Sequence, residues 1–88
     1  MAKIKTFTVS STNRRTDRSI NFSGTLPELI KTFSYTLECG ASWQHESGNK
    51  KINKTPRGIK SLVTNLNNAT NNSAANGYSD TEYELVTE

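Results

Sequence analysis

The chain has 88 residues, eleven bases against eight acids, a net charge of +3, one cysteine and 32% apolar residues. That length allows one domain, 1–88, which would bury only about 60–65% of its unfolded surface, so its own core is marginal and a covering partner copy is favoured. A single cysteine excludes an intrachain disulfide, and no apolar run approaches a membrane-spanning or secretory segment, so the chain reads as soluble and intracellular. The charge is unevenly spread: Asp80, Glu82, Glu84 and Glu88 stand in a tail without bases, and residues 1–78 carry +7. A basic body suits an anionic ligand, or subunits that pair basic and acidic faces.

"KIKTFTVSST" alternates as a strand, with Lys5, Phe7 and Val9 on one face, and should end near Ser10. "STNRRTDR" supplies turn formers and three arginines, and "RSINFSG" puts Ile20 and Phe22 on one face of a second strand. The two form a β-hairpin with a basic tip at Arg14 and Arg15.

"GTLPELIKTFSYTLECGA" predicts one helix. Thr25 and Glu28 make a T-x-x-E capping box, Leu26, Leu29, Ile30, Phe33 and Leu37 form an apolar stripe, and Gly40 suits the C-terminal cap, with Trp43 on a further turn. "SWQHESGNKKINK" has no periodicity, and a loop that long is often functional or ordered by a partner. Cys39 reads as a small core residue at the helix end.

A second helix is expected from Pro56 to about Asn76, with Thr55 as N-cap and Gly58 at the third helical position. Glycine there gives up about 1 kcal/mol relative to alanine. The compensation would be bare first-turn amides that, with Arg57 and the flanking Lys54 and Lys60, suit a phosphate. A frayed cap with solvated charges explains the same residues. Ile59, Leu62, Val63, Leu66, Ala69 and Ser73 mark the inner stripe, packing on the first helix or on a second copy. Six asparagines fall between Asn65 and Asn76 and weaken the helix, so packing or a ligand must compensate. Gly77 ends the helix, and "TEYELVT" sets Tyr83 and Leu85 opposite Glu82, Glu84 and Val86 in a third strand that pairs with the hairpin. The fold class is α+β: a small antiparallel sheet, made of the N-terminal hairpin and the C-terminal strand, with two helices on one face.

No constellation in the sequence supplies enzyme chemistry. His45 is the only histidine, no nucleophile has a base at a suitable spacing, and no metal-ligand pattern is present, so neither catalytic residues, a metal nor a cofactor is expected. Binding chemistry is better supplied. Asparagine carries a donor pair and an acceptor, as purine edges and ribose hydroxyls require, and Trp43, Tyr35, Tyr78 and Phe33 offer faces for stacking, although Phe33 also belongs to the apolar stripe and reads first as core. Solubility of the helix and gap filling by Trp43 account for the same residues without a ligand.

The order of segments in "GTLPELIKTFSYTLECGASWQHESGNKKINKTPRGIKSLVTNLNNATNNSAANGYSDTEYELV" is a capped helix, a Gly/Lys/Asn loop, a T-P-R-G helix start and an Asn-rich helix. It resembles the phage-encoded Thoeris anti-defence proteins of the first described type over about residues 21 to 86. The resemblance implies a non-catalytic sponge in the host cytoplasm that assembles through its helices into dimers or hexamers. It would sequester cyclic ADP-ribose isomers made by a bacterial TIR-domain protein, and some members also capture cyclic di- or trinucleotides where subunits meet. On this reading Thr55, Arg57 and Gly58 would contact phosphate, Arg14 and Arg15 would close over the ligand, and Trp43, Asn68, Asn71 and Tyr78 would meet base and sugar. Two other functions fit the residues: a small basic nucleic-acid-binding protein, against which the scattered bases and the lack of a known motif argue, and a protein inhibitor of a host immune complex.

Overall fold

The computed structural model describes residues 5–74 and 81–87. Strands β1 (Phe7–Asn13), β2 (Arg18–Gly24) and β3 (Thr81–Thr87) and helices α1 (Leu26–Thr32), α2 (Ser34–Ser42) and α3 (Ile59–Ala74) follow in the order β1-β2-α1-α2-α3-β3. The sheet is antiparallel with strand order β2-β1-β3, so the first strand in the chain is central. This is the expected α+β architecture.

β1 is longer than its sequence suggested. It runs past Ser10 to Asn13 because Ser11, Thr12 and Asn13 pair with Ile20, Ser19 and Arg18 on one side and with Tyr83, Glu82 and Thr81 on the other. Pairing on both sides overrides the weak strand pattern of "SSTN". The turn is therefore Arg14–Asp17: the Asn13 carboxamide accepts from the Arg15 and Thr16 amides (2.9 and 3.3 Å), and Asp17 takes a left-handed φ of 58°. Aspartate tolerates that region because its side chain can bond locally.

The predicted first helix is two. Its start is as read, with the Thr25 hydroxyl accepting from the Glu28 amide and the Glu28 carboxylate accepting from the Thr25 amide. It is interrupted at Phe33, yet the Phe33 N–H still reaches Leu29 O and the Leu37 N–H reaches Phe33 O, each at 3.0 Å. The preceding Thr32 hydroxyl donates back to Glu28 O at 2.9 Å, a bond that bends helices. The interruption lies where the Phe33 ring sits edge-on to both Phe22 and Tyr83, with centroids 5.0 and 5.4 Å away.

Gly40 is not a cap. It lies inside α2, which ends at Ser42 with Trp43 as the C-cap, and a Cβ there would stand 2.3 Å from both Cα and Cβ of Ala69. Glycine here lets α2 and α3 approach along their backbones. Cys39 beside it is half-buried rather than in the core.

The core lies between the helices and the sheet: Val9 and Tyr83 from the strands, Leu29, Phe33 and Leu37 from α1, α2 and their junction, and Ile59, Leu62, Leu66 and Ala69 from α3. The inner stripe of α3 is as read from spacing, with Val63 half-buried beside it. Ile52 adds an anchor from the supposedly free connection.

Candidate functional site: an amide-rich recess beside α3

The start of α3 differs from its sequence reading. The Leu62 N–H bonds to Gly58 O at 3.0 Å, and the helix begins at Ile59, so Gly58 is the N-cap rather than the third helical residue. Glycine is acceptable at an N-cap, and the apparent cost of placing it inside a helix does not arise. Thr55 caps nothing. Its amide donates to the Asn53 carboxamide oxygen at 3.0 Å in a side-chain-closed turn, and Pro56 is buried. The Thr55 amide is thus already used. Arg57 and Lys54 are exposed, and a Cβ on Gly58 would meet nothing within 4 Å, so the turn faces open space.

The asparagines divide into two groups by what their amides touch. Asn72, 2% exposed, accepts from the Lys50 N–H (3.0 Å) and donates to Lys50 O (2.7 Å) and Gly40 O (3.2 Å). It thereby grips the connection as a neighbouring strand would. Asn67 treats β3 the same way, accepting from the Tyr83 N–H at 2.8 Å and donating to Tyr83 O at 2.9 Å. Asn65 accepts from the Asn53 N–H at 2.8 Å and returns its own N–H to Ser61 O. Gln44 and Asn49 complete the fastening of the connection: Gln44 accepts from Ile52 N–H, and Asn49 donates to Trp43 O at 2.7 Å. The segment is ordered by its own chain.

Asn68 and Asn71 face the other way in function. With Asn72 and the main-chain run Gly48, Asn49 and Lys50 they line a recess of about 350 Å³. That lies within the size range of small-molecule sites, though its lining is more polar than most. Asn68 is half-buried and Asn71 exposed, so both amides stand at the mouth, and Lys50 contributes an exposed ammonium on a backbone that Asn72 holds from both sides. Gly48 has φ +86°, a conformation suited to glycine, which turns the chain into the recess. A second hollow, about 600 Å³ and more open, is lined among the described residues by Lys51 to Thr55.

The sequence-predicted residues do not converge. Asn68 and Asn71 share the recess, and Trp43 is half-buried beside it, its carbonyl held by the recess residue Asn49. Thr55, Arg57 and Gly58 lie at the other end of α3, and the thirteen residues from Gly58 to Asn71 span about 20 Å at the helical rise. Arg14 and Arg15 are on the exposed β1–β2 turn. Tyr78 lies outside the described residues. Gly48, Asn49, Lys50 and Asn72 were missed. Asn72 carried a usable signal: it lies three residues after Ala69 and seven after Asn65, at the edge of the buried stripe, where a polar residue must bond something.

Two side chains are electrostatically perturbed. The Thr25 amide and hydroxyl hold the Glu28 carboxyl below its usual range, and the Cys39 sulfur one turn along α2 raises the phenol of Tyr35, which is 70% exposed. Among the described residues no three His, Cys, Asp or Glu side chains are grouped to hold a metal, and no helix is long and apolar enough to cross a membrane. No protein-family model, curated protein or solved structure matches the chain.

Proposed function

We propose that this chain is a binding protein that sequesters a cyclic nucleotide signal, a cyclic ADP-ribose isomer by its resemblance to the Thoeris anti-defence proteins, and releases it chemically unchanged. The observation that supports this reading best is the recess in which Asn68 and Asn71 stand free of the stapling bonds made by Asn65, Asn67 and Asn72. A carboxamide can donate to a purine nitrogen or ribose oxygen and accept from an exocyclic amine or hydroxyl, while Lys50 supplies a cation for phosphate. A sequestering protein works by mass action, so a fixed polar cradle, slow release and abundance serve it without a catalytic group. Arg57 precedes α3, whose rise sets Gly58 about 15 Å from Asn68 and about 20 Å from Asn71, beyond direct contact with a guest held between those two amides in the same chain. It would contribute only if the α3 start of a second copy adjoined the recess, in keeping with the oligomer the resemblance implies. The signal is made inside the infected cell, and the protein would act there.

Isothermal titration with a cyclic ADP-ribose isomer tests this. Saturable binding is expected, with Asn71→Ala and Lys50→Ala each weakening it by roughly tenfold, about the value of one charged or well-placed hydrogen bond. Mass spectrometry of ligand released by denaturation should recover it intact. Absence of heat with cyclic ADP-ribose isomers and cyclic dinucleotides at micromolar protein would overturn the reading. The exposed arginines Arg14 and Arg15 on the hairpin turn and Arg18 at the start of β2 favour one rival, a nucleic-acid-binding protein. Its affinity would fall steeply with salt, whereas a small trapped guest depends on salt weakly.

A further inference from the structure

The two outer edges of the sheet are treated differently. On β3 the Tyr83 N–H and C=O both turn away from β1 and are taken by the Asn67 carboxamide, so α3 closes that edge. Among the described residues β2 has no such cover, and Ser19, Asn21 and Ser23 are exposed. It pairs with β1 in unbroken register from Gly24 to Arg18, without a bulge, and contains no proline. Six of the commonest ways of blunting an exposed edge are a bulge, a proline, an inward charge, shortness, a covering helix and a covering loop. β2 is seven residues long, and its only charge is Arg18 at one end. Ile20 on it is 62% exposed.

We infer that β2 is a self-pairing edge, which joins two copies of this chain antiparallel about a two-fold axis at Asn21 into one six-stranded sheet. The hydrogen-bond phase fits. Since Tyr83 bonds outward, Tyr83 and Ser11 are a non-bonded pair, so the main-chain groups of Ser11 point to Ile20 and those of Ser19, Asn21 and Ser23 point out of the sheet. Centring the axis on Asn21 sets the Asn21 groups of the two copies against each other and Ser19 against Ser23, a matched set of donors and acceptors.

The side chains fit the same register. Ile20 of each copy falls opposite Phe22 of the other, both on the helix-bearing face, so an exposed aliphatic is covered by a half-buried ring. Arg18 of each copy falls opposite Gly24 of the other, where a Cβ would stand 3.5 Å from the Glu28 carboxylate. Arg18 and Glu28 are both exposed, and the two-fold axis supplies this opposite-charge pair twice. Unlike the helical stripes, which are consumed in the core of each chain, this edge keeps its bonding groups outward.

Sedimentation velocity of the full chain over a wide concentration range, with site-resolved hydrogen exchange, tests the inference. A dimer is expected in which the Asn21 amide gains protection as concentration rises. Ile20→Lys should raise its dissociation constant by roughly tenfold or more, leaving the circular dichroism unchanged because Ile20 is exposed in the single chain. Arg18→Glu should weaken the dimer too, and adding Glu28→Gln, which removes the new repulsion while retaining a capping side chain, should recover part of the loss. A chain that stays monomeric at millimolar concentration would overturn the inference. So would an oligomer indifferent to Ile20→Lys with a rapidly exchanging Asn21 amide, since that assembly uses another surface. None of these readouts depends on whether a cyclic nucleotide binds.

Discussion

Asn65, Asn67 and Asn72 and the neighbouring Asn68 and Asn71 are the same residue type on the same helix, yet they do opposite things. The first three spend their carboxamides on main chain of other segments, replacing strand pairing where α3 meets β3 and the 43–58 connection. The other two line an open recess, of which Asn72 forms a shared wall. The difference is geometric: residues flanking the buried stripe meet backbone that has lost water and needs partners, while Asn68 and Asn71, each four positions from one of them and so about 40° further round the helix, meet a hollow. An asparagine-rich helix is therefore read by face rather than by composition.

The sharpest way to break the comparison is Asn72→Ala. It leaves the Lys50 N–H and C=O and Gly40 O without this partner at a buried position, and should lower unfolding free energy by about 3 kcal/mol in a urea titration. A loss below about 1 kcal/mol would mean that water replaces the amide. Asn67→Ala should cost about 1–2 kcal/mol, with Asn67→Asp between it and the parent, because aspartate keeps the acceptor for Tyr83 N–H and loses the donor to Tyr83 O. Asn68→Ala and Asn71→Ala sharpen the contrast from the other side. Each should change stability by less than about 0.5 kcal/mol, as surface substitutions do, while the affinity for a cyclic nucleotide falls.

The smallest effect concerns a polar bond outside α3. The Glu28 carboxyl, whose ordinary value is 4.5, is held lower in the folded chain by the Thr25 amide and hydroxyl. Its contribution is complete above the unfolded value and is lost as pH falls through the folded one. Thermal unfolding should therefore show no loss from this group between neutral pH and about pH 5. Below 4.5 the stability should drop, less steeply in Glu28→Gln.

Much of the fold was legible because its signals are local. The alternation of β1 and β3, the Thr25–Glu28 box and the Ile59-to-Ser73 stripe depend on residues a few positions apart, and the structure has each of them. The site was legible only in part. Asn68 and Asn71 were identified by type, but Lys50 joins them through a contact twenty-two residues away in sequence, between Asn72 and the connection. The start of α3 misled because T-P-R-G has the composition of a cap and first turn, and nothing local reveals that Asn53 takes the Thr55 amide and delays the helix to Ile59.

The sequence by itself determined the α+β class, the hairpin, the capped first helix and the buried face of α3, because dihedral preference and hydrophobic period act within a few residues. Tertiary structure alone decided that Gly40 is a helix crossing rather than a cap, that Asn65, Asn67 and Asn72 hold backbone while Asn68 and Asn71 turn to a recess that Asn72 also walls, and that among the described residues β3 is closed while β2 is open. These outcomes depend on which main-chain groups lose water when distant segments meet, and burial of that kind is a property of the packed chain.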